Sequence, residues 1–226
     1  MLILVLASCH LWSQAVGVHE APAPGDLANF APYEVLPEVA AFACADAELT
    51  EIMVRFVRSD GTMDLDAKYV PYATYSFLCP TVADPDLPVG AGGGGTLRTS
   101  IIRVGAPGYI HQTSTGSSGP NTKIRVKHRG MIEMSTDLAD EEDREDVVPP
   151  PTCSPTQLWE QVEGLPSNAV AVISYDDHGY NFSVEDTEIR QAFDFSCKAG
   201  RERTAKQKAR DAKKELKDKE KEERKK

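Results

Sequence analysis

The chain has 226 residues, with 35 acidic against 25 basic side chains and a net charge of −10 at pH 7. That length suits one or two domains, and the acidic balance excludes specific nucleic-acid binding, which rests on neutralising phosphates with Lys and Arg. Residues 199–226 hold 13 basic and 7 acidic side chains, a net of +6, so the preceding 198 residues carry −16.

Met1 to Leu6 is a short apolar run, followed by Leu6-Ala7-Ser8-Cys9. This tetrapeptide fits the bacterial lipoprotein box, with Cys9 lipidated as the first mature residue, and residues 1–17 read as a leader. The run is too short to span a bilayer and lacks a basic flank, which a start placed too late would explain. Ordinary secretory cleavage after Ala15-Val16-Gly17 and a buried N-terminal strand are the alternatives. No other long apolar segment follows, so the membrane is expected to be reached through a lipid anchor only. Residues 18–33 are Ala/Pro-rich and read as a flexible tether.

Residues 34–79 read as a helix followed by an antiparallel meander. Leu36, Val39, Ala40 and Ala43 recur at helical spacing, Ser59-Asp60-Gly61 is a hairpin signal, and Pro71 marks an edge or a bulge. Residues 80–152 form a linker. Its glycine run lacks the Gly-Lys-Ser/Thr of a phosphate-binding loop. Leu97 to Val104 and Lys123 to Lys127 are expected to pair as a hairpin, and Asp137 to Asp146 is acidic in seven of ten positions.

Residues 153–198 repeat the helix-plus-meander pattern. Ser154 suits an N-cap, Pro155 the first helical position and Gln157 a capping box, and Leu158, Trp159, Val162 and Leu165 form one stripe. Ala169 to Tyr175 reads as a strand and Asp176 to Gly179 as a turn. Tyr180, Phe182 and Val184 then alternate with polar residues, and a third strand carries Ile189, Phe193, Phe195 and Cys197 on the helix-covered face. The tail, residues 199–226, reads as a charged segment, a solvated helix or a disordered tail.

A shift of 118 positions aligns the two units without a gap, placing Gly61 on Gly179 and Cys79 on Cys197. The predicted fold is therefore α+β: two tandem helix-plus-antiparallel-meander units and a charged C-terminal helix. Cys9 aside, four cysteines remain, an even number that points to an oxidising compartment. Of three connectivities, Cys44–Cys79 and Cys153–Cys197 are expected. A crossed pair such as Cys44–Cys197 would mean one intertwined domain, and four reduced thiols a cytosolic chain.

No motif carries catalysis. His10, His19, His111, His128 and His178 have no metal-ligand spacing, and no Gly-x-Ser-x-Gly elbow is present. Asp64 and Asp66 alternate onto one strand face, which reads as solvated, and the acidic run lacks the EF-hand pattern. Neither a metal nor a cofactor is expected.

The stretch from Cys153 to Thr187 resembles a module of uncharacterised exported and lipoprotein-type proteins of myxobacteria. That module also occurs in extracytoplasmic regions of some of their membrane-bound serine/threonine kinases. The shared features are the start at Cys153-Ser154, the helix with Trp159, the Ala-Val-Ala-Val-Ile strand and the Gly179 to Phe182 strand, with Ser59 to Leu65 matching the first module. The resemblance implies an extracytoplasmic binding or sensing module in the cell envelope, without catalytic activity, for an unidentified protein or envelope ligand. A secreted inhibitor that blocks an enzyme through the joint face of its two units is the alternative.

Overall fold

The computed structural model describes residues 19–80, 97–108, 110–115, 122–166, 168–185 and 187–200. In chain order the strands are β1 (Glu20–Pro22), β2 (Glu48–Val57), β3 (Tyr72–Pro80), β4 (Leu97–Gly105), β5 (Ile110–Thr115), β6 (Thr122–Lys127), β7 (Gly130–Ala139), β8 (Ala171–Asp176), β9 (Gly179–Val184) and β10 (Arg190–Phe193). The helices are α1 (Leu36–Ala43) and α2 (Pro155–Trp159), and a 3-10 turn spans Glu141–Asp146. Eight strands form one antiparallel sheet in the order β1-β7-β4-β3-β2-β8-β9-β10, while β5 and β6 pair separately.

A period of two sets the inner face of this sheet. Ala171, Ile173 and Tyr175 of β8 are buried with Tyr180, Phe182 and Val184 of β9, and Ala73, Tyr75 and Phe77 of β3 join them. Leu36, Val39 and Ala43 of α1 and Leu158 and Trp159 of α2 pack into the same cluster. Trp159 meets Phe182 edge-on at 5.1 Å between ring centroids. Among the described residues, both helices pack on this one face of the sheet.

The fold is mainly β, and the expected tandem α+β units are not its architecture. β2, from the first expected unit, pairs with β8, from the second, through Ile52↔Tyr175 and Val54↔Ile173. A free-standing meander would leave the backbone groups of its edges without ladder partners, and one continuous sheet satisfies them. The two units also differ internally. β8, β9 and β10 form the expected meander, but β2 pairs directly with β3. The middle strand of the first meander is replaced by a loop that its own polar side chains hold. The Arg58 guanidinium donates to the Ala28 carbonyl at 2.8 Å, and Asp60 accepts the Thr62 N–H at 2.9 Å. The aligned glycines keep one role: both have positive φ, and a Cβ on Gly179 would lie 2.5 Å from the Phe193 carbonyl oxygen.

Other expectations change through long-range pairing. The Ala/Pro-rich stretch is not a free tether: β1 pairs with β7, and Phe30 is fully buried and bridges Met63. β4 does not pair with β6 but lies between β3 and β7. α2 stops at Trp159, well short of Leu165, and Phe195 lies beyond β10 and is exposed. Residues 1–17, with Cys9, and residues 201–226 of the charged tail lie outside the described residues.

Candidate functional site

The four described cysteines form the two expected disulfides. Cys44, the C-cap of α1, joins Cys79 in β3 with Cα atoms 6.1 Å apart, and Cys153, just before the α2 N-cap, joins Cys197 at 5.7 Å. Two such bridges point to an oxidising, extracytoplasmic environment. Among the described residues no helix is long and apolar enough to cross a membrane.

The outer face of the sheet gathers the side chains best suited to recognition. Register places Tyr72, Arg55, Val172, Ser183 and Arg190 in one row across β3, β2, β8, β9 and β10. Around that row the surface hollows into a depression of about 790 Å³, whose lining also includes Met53, Asn181 and Glu185. Tyr72 is its aromatic centre. The Arg103 guanidinium lies 4.3 Å from the Tyr72 ring centroid and that of Arg55 5.7 Å. Arg55 also donates to the Tyr72 hydroxyl at 3.3 Å and pairs with Glu185. The Tyr72 bond first, and the Glu185 bond second, raise the Arg55 pKa, so its charge is fixed.

A bulge frames this end of the site. The register of β2 against β8 shifts between Arg55 and Val57, and the intervening Phe56 adopts φ +69°. A phenylalanine in the left-handed region is strained, and bulges of this kind re-aim side chains beside functional sites. Phe56 meets Tyr69 edge-on at 4.9 Å, and Tyr69 is exposed. Arginine and tyrosine are the residues that most often anchor protein interfaces. Arg55, Tyr72, Arg103 and Arg190 were not singled out in the sequence. Alternation puts Met53 with Arg55 and Tyr72 with Thr74, but only the register brings these pairs together.

The remaining polar groups are arranged differently. Asp176, Asp177 and His178 bring one ligand atom each within 4.8 Å of one another in the β8–β9 turn. Asp176 accepts the His178 N–H at 2.8 Å, and His178 Nδ1 lies 2.9 Å from an Asp177 carboxylate oxygen. Glu51, on the neighbouring strand, has its pKa raised first by burial and then by the charge of Asp176. Asp64 and Asp66 lie in a loop rather than on a strand face, where Asp64 accepts the Asp66 N–H. In the acidic run, Asp140 and Asp143 cap the 3-10 turn reciprocally, and Arg144 pairs with Glu48 and Glu141. His19 stacks on Phe42, and His128 is buried with Nδ1 accepting the Gly130 N–H. His10 and the His111 side chain lie outside the described residues.

No protein-family model, no curated protein and no solved structure matches this chain.

Proposed function

We propose that this protein is an extracytoplasmic, envelope-tethered module that binds or senses a protein or envelope ligand through the outer face of its sheet, without catalysis. The observation that carries the reading is Tyr72 held between Arg55 and Arg103 on a hollow of about 790 Å³. A rigid aromatic flanked by guanidiniums on a sheet is preorganised, so little side-chain freedom is lost on binding. The surrounding chain is strongly acidic, so the three arginines of this face favour a partner that presents carboxylates or other acceptors. The resemblance to exported myxobacterial modules supports the compartment, and Leu6-Ala7-Ser8-Cys9 supports lipid anchoring through Cys9.

One affinity-capture experiment on the full-length protein from envelope extract tests the parts separately. Replacing Cys9 with Ser should move the protein out of the membrane fraction. Replacing Tyr72 and Arg103 with Ala should leave it there, still folded, but without its captured partner. Unchanged capture by the Tyr72→Ala/Arg103→Ala variant would remove the outer face from the account. The hollow is built by both halves, as an enzyme-blocking inhibitor would also require; capture of a hydrolase, with loss of its activity, would favour that second reading.

A further inference from the structure

The hollow on the outer sheet face has eight polar residues in its lining, and six of them are already engaged. Arg55 is held by Tyr72 and Glu185. The Asn181 amide donates to the Ser174 hydroxyl at 3.3 Å, the Gln191 amide to the Ala192 carbonyl at 3.0 Å and the Thr187 hydroxyl to the Val184 carbonyl at 2.9 Å. Ser183 and Arg190 are the exceptions. Among the described residues neither side chain has a hydrogen bond or ion pair.

These two residues face each other directly across β9 and β10, which puts their Cβ atoms about 5 Å apart on one face of the sheet. Arg190 is exposed and Ser183 partly so, and both are open to a solute. Ser183 is also opposite Val172, while Met53 and Ala192 stand one row away on the same face, so the pair borders apolar surface.

The charge of Arg55 is cancelled by Glu185, which leaves Arg190 as the one net positive charge of the lining, in a body that carries −16. A guanidinium beside a hydroxyl suits a carboxylate, whose two oxygens accept a charge-assisted hydrogen bond from the first and a neutral one from the second. A doubly charged phosphate would bring a second negative charge that no cation of the lining is left to meet. The volume of about 790 Å³ lies in the ordinary range of small-molecule sites, and Met53, Val172 and Ala192 offer a floor for an apolar body.

We infer that the hollow binds a small molecule with one carboxylate and a short apolar body, the carboxylate held by Arg190 and Ser183 and the body laid against Val172. The inference rests on the outer face being a binding surface and names the chemistry of what it binds.

Fluorine NMR of the whole protein with 4-fluorobenzoate and with 4-fluorobenzamide tests it, because the two probes are alike in shape and differ in charge. Wild type should bind the benzoate saturably at one site, about tenfold more tightly than the amide, as a charge-assisted bond in place of a neutral one allows. Added salt should shrink that difference. Arg190→Gln should bind both probes alike, and Ser183→Ala should weaken the benzoate about threefold, the share of one neutral hydrogen bond. Absence of saturable benzoate binding to folded wild type would overturn the inference. So would a benzoate preference that survives Arg190→Gln, or benzoate affinity unchanged in Ser183→Ala. Tighter binding of N-acetylglycyl-4-fluorophenylalanine, which carries its carboxylate on a chain end, would overturn the assignment to a small molecule. The capture experiment with Tyr72→Ala/Arg103→Ala separates the two readings. Lost capture without benzoate binding to wild type sinks the ligand class and keeps the face, and benzoate binding with unchanged capture does the reverse.

Discussion

Residues 34–80 and 153–198 begin from the same ingredients: a short helix, a turn glycine, apolar strands and a disulfide that closes on the final segment. They build different structures. In the second region tight turns keep three strands in sequence, so each pairs with the next. In the first, Arg58 and Asp60 hold the middle segment out of the sheet, and β3 returns directly beside β2. The first region consequently sits inside the sheet, with ladder partners on both sides of β2 and β3, whereas the second ends at an edge. Similar sequences diverge here because a strand's partner is chosen by every other strand competing for it, not by its own pattern.

The sharpest test of this contrast is removal of the bridges one at a time. They close loops of similar length, with cysteines 35 and 44 positions apart, and the chain-entropy estimate makes each worth about 4 kcal/mol. Cys44→Ala/Cys79→Ala should lower stability in a single transition, since Cys79 lies in an interior strand. Cys153→Ala/Cys197→Ala should first raise amide exchange in β10 and residues 194–200, with β3 and β4 still protected. Equal loss of protection in β3 would break the distinction between interior and flank.

A smaller effect separates the helices. α2 has a full capping box, Ser154 accepting the Gln157 N–H and Gln157 accepting that of Ser154, whereas α1 starts at Val35 with no side-chain cap. Ser154→Ala should lower the urea midpoint by an amount equivalent to about 1 kcal/mol, with an unchanged m-value. No change would mean that packing of Trp159 alone holds α2.

The smallest effect concerns acid. The Asp194 carboxylate accepts the Lys198 N–H and both the hydroxyl and N–H of Ser196, and these bonds, the Lys198 one foremost, hold its pKa below the ordinary 3.8. A depressed pKa stabilises the fold fully above the ordinary value, and the contribution disappears as pH falls through the folded-state pKa. Exchange at Ser196 and Lys198 should therefore accelerate only below about pH 4, and Asp194→Ala should remove that pH dependence. The turn around Asp60 in the first region should keep its protection in that variant.

Local features were legible in the sequence. The Ser154–Gln157 box, the alternation of Tyr180, Phe182 and Val184 and the Gly179 turn depend on neighbours a few residues away, and the two cysteine pairs follow from the placing of two cysteines in each half. What was not legible depends on distant pairing. Nothing in Leu97–Gly105 says that it lies between β3 and β7, and nothing in Glu20–Pro22 says that β7 will accept it. The outer-face row was hidden for the same reason. Arg55 and Tyr72 become neighbours only once β2 and β3 pair without an intervening strand, and Arg190 joins them only through β8 and β9. The expected α+β class failed because α2 has five residues and α1 eight, while the segments between them contributed strands to one sheet.

One detail of the second region reaches beyond its own fold. β10 forms an edge of the sheet, yet its outer side is not bare. The chain turns back on it, with Gly200 donating to the Ala192 carbonyl at 3.1 Å, Asp194 to that of Lys198 at 3.0 Å, and Ala199 bridging Phe193. Cys197, in the left-handed region at φ +66°, lies within this cover and ties it to Cys153. An uncovered strand edge is a template on which another chain can add a strand, the first step of aggregation. The Cys153–Cys197 bridge thus adds a covalent hold to the cover on this edge, one that lasts only where oxidants keep it closed.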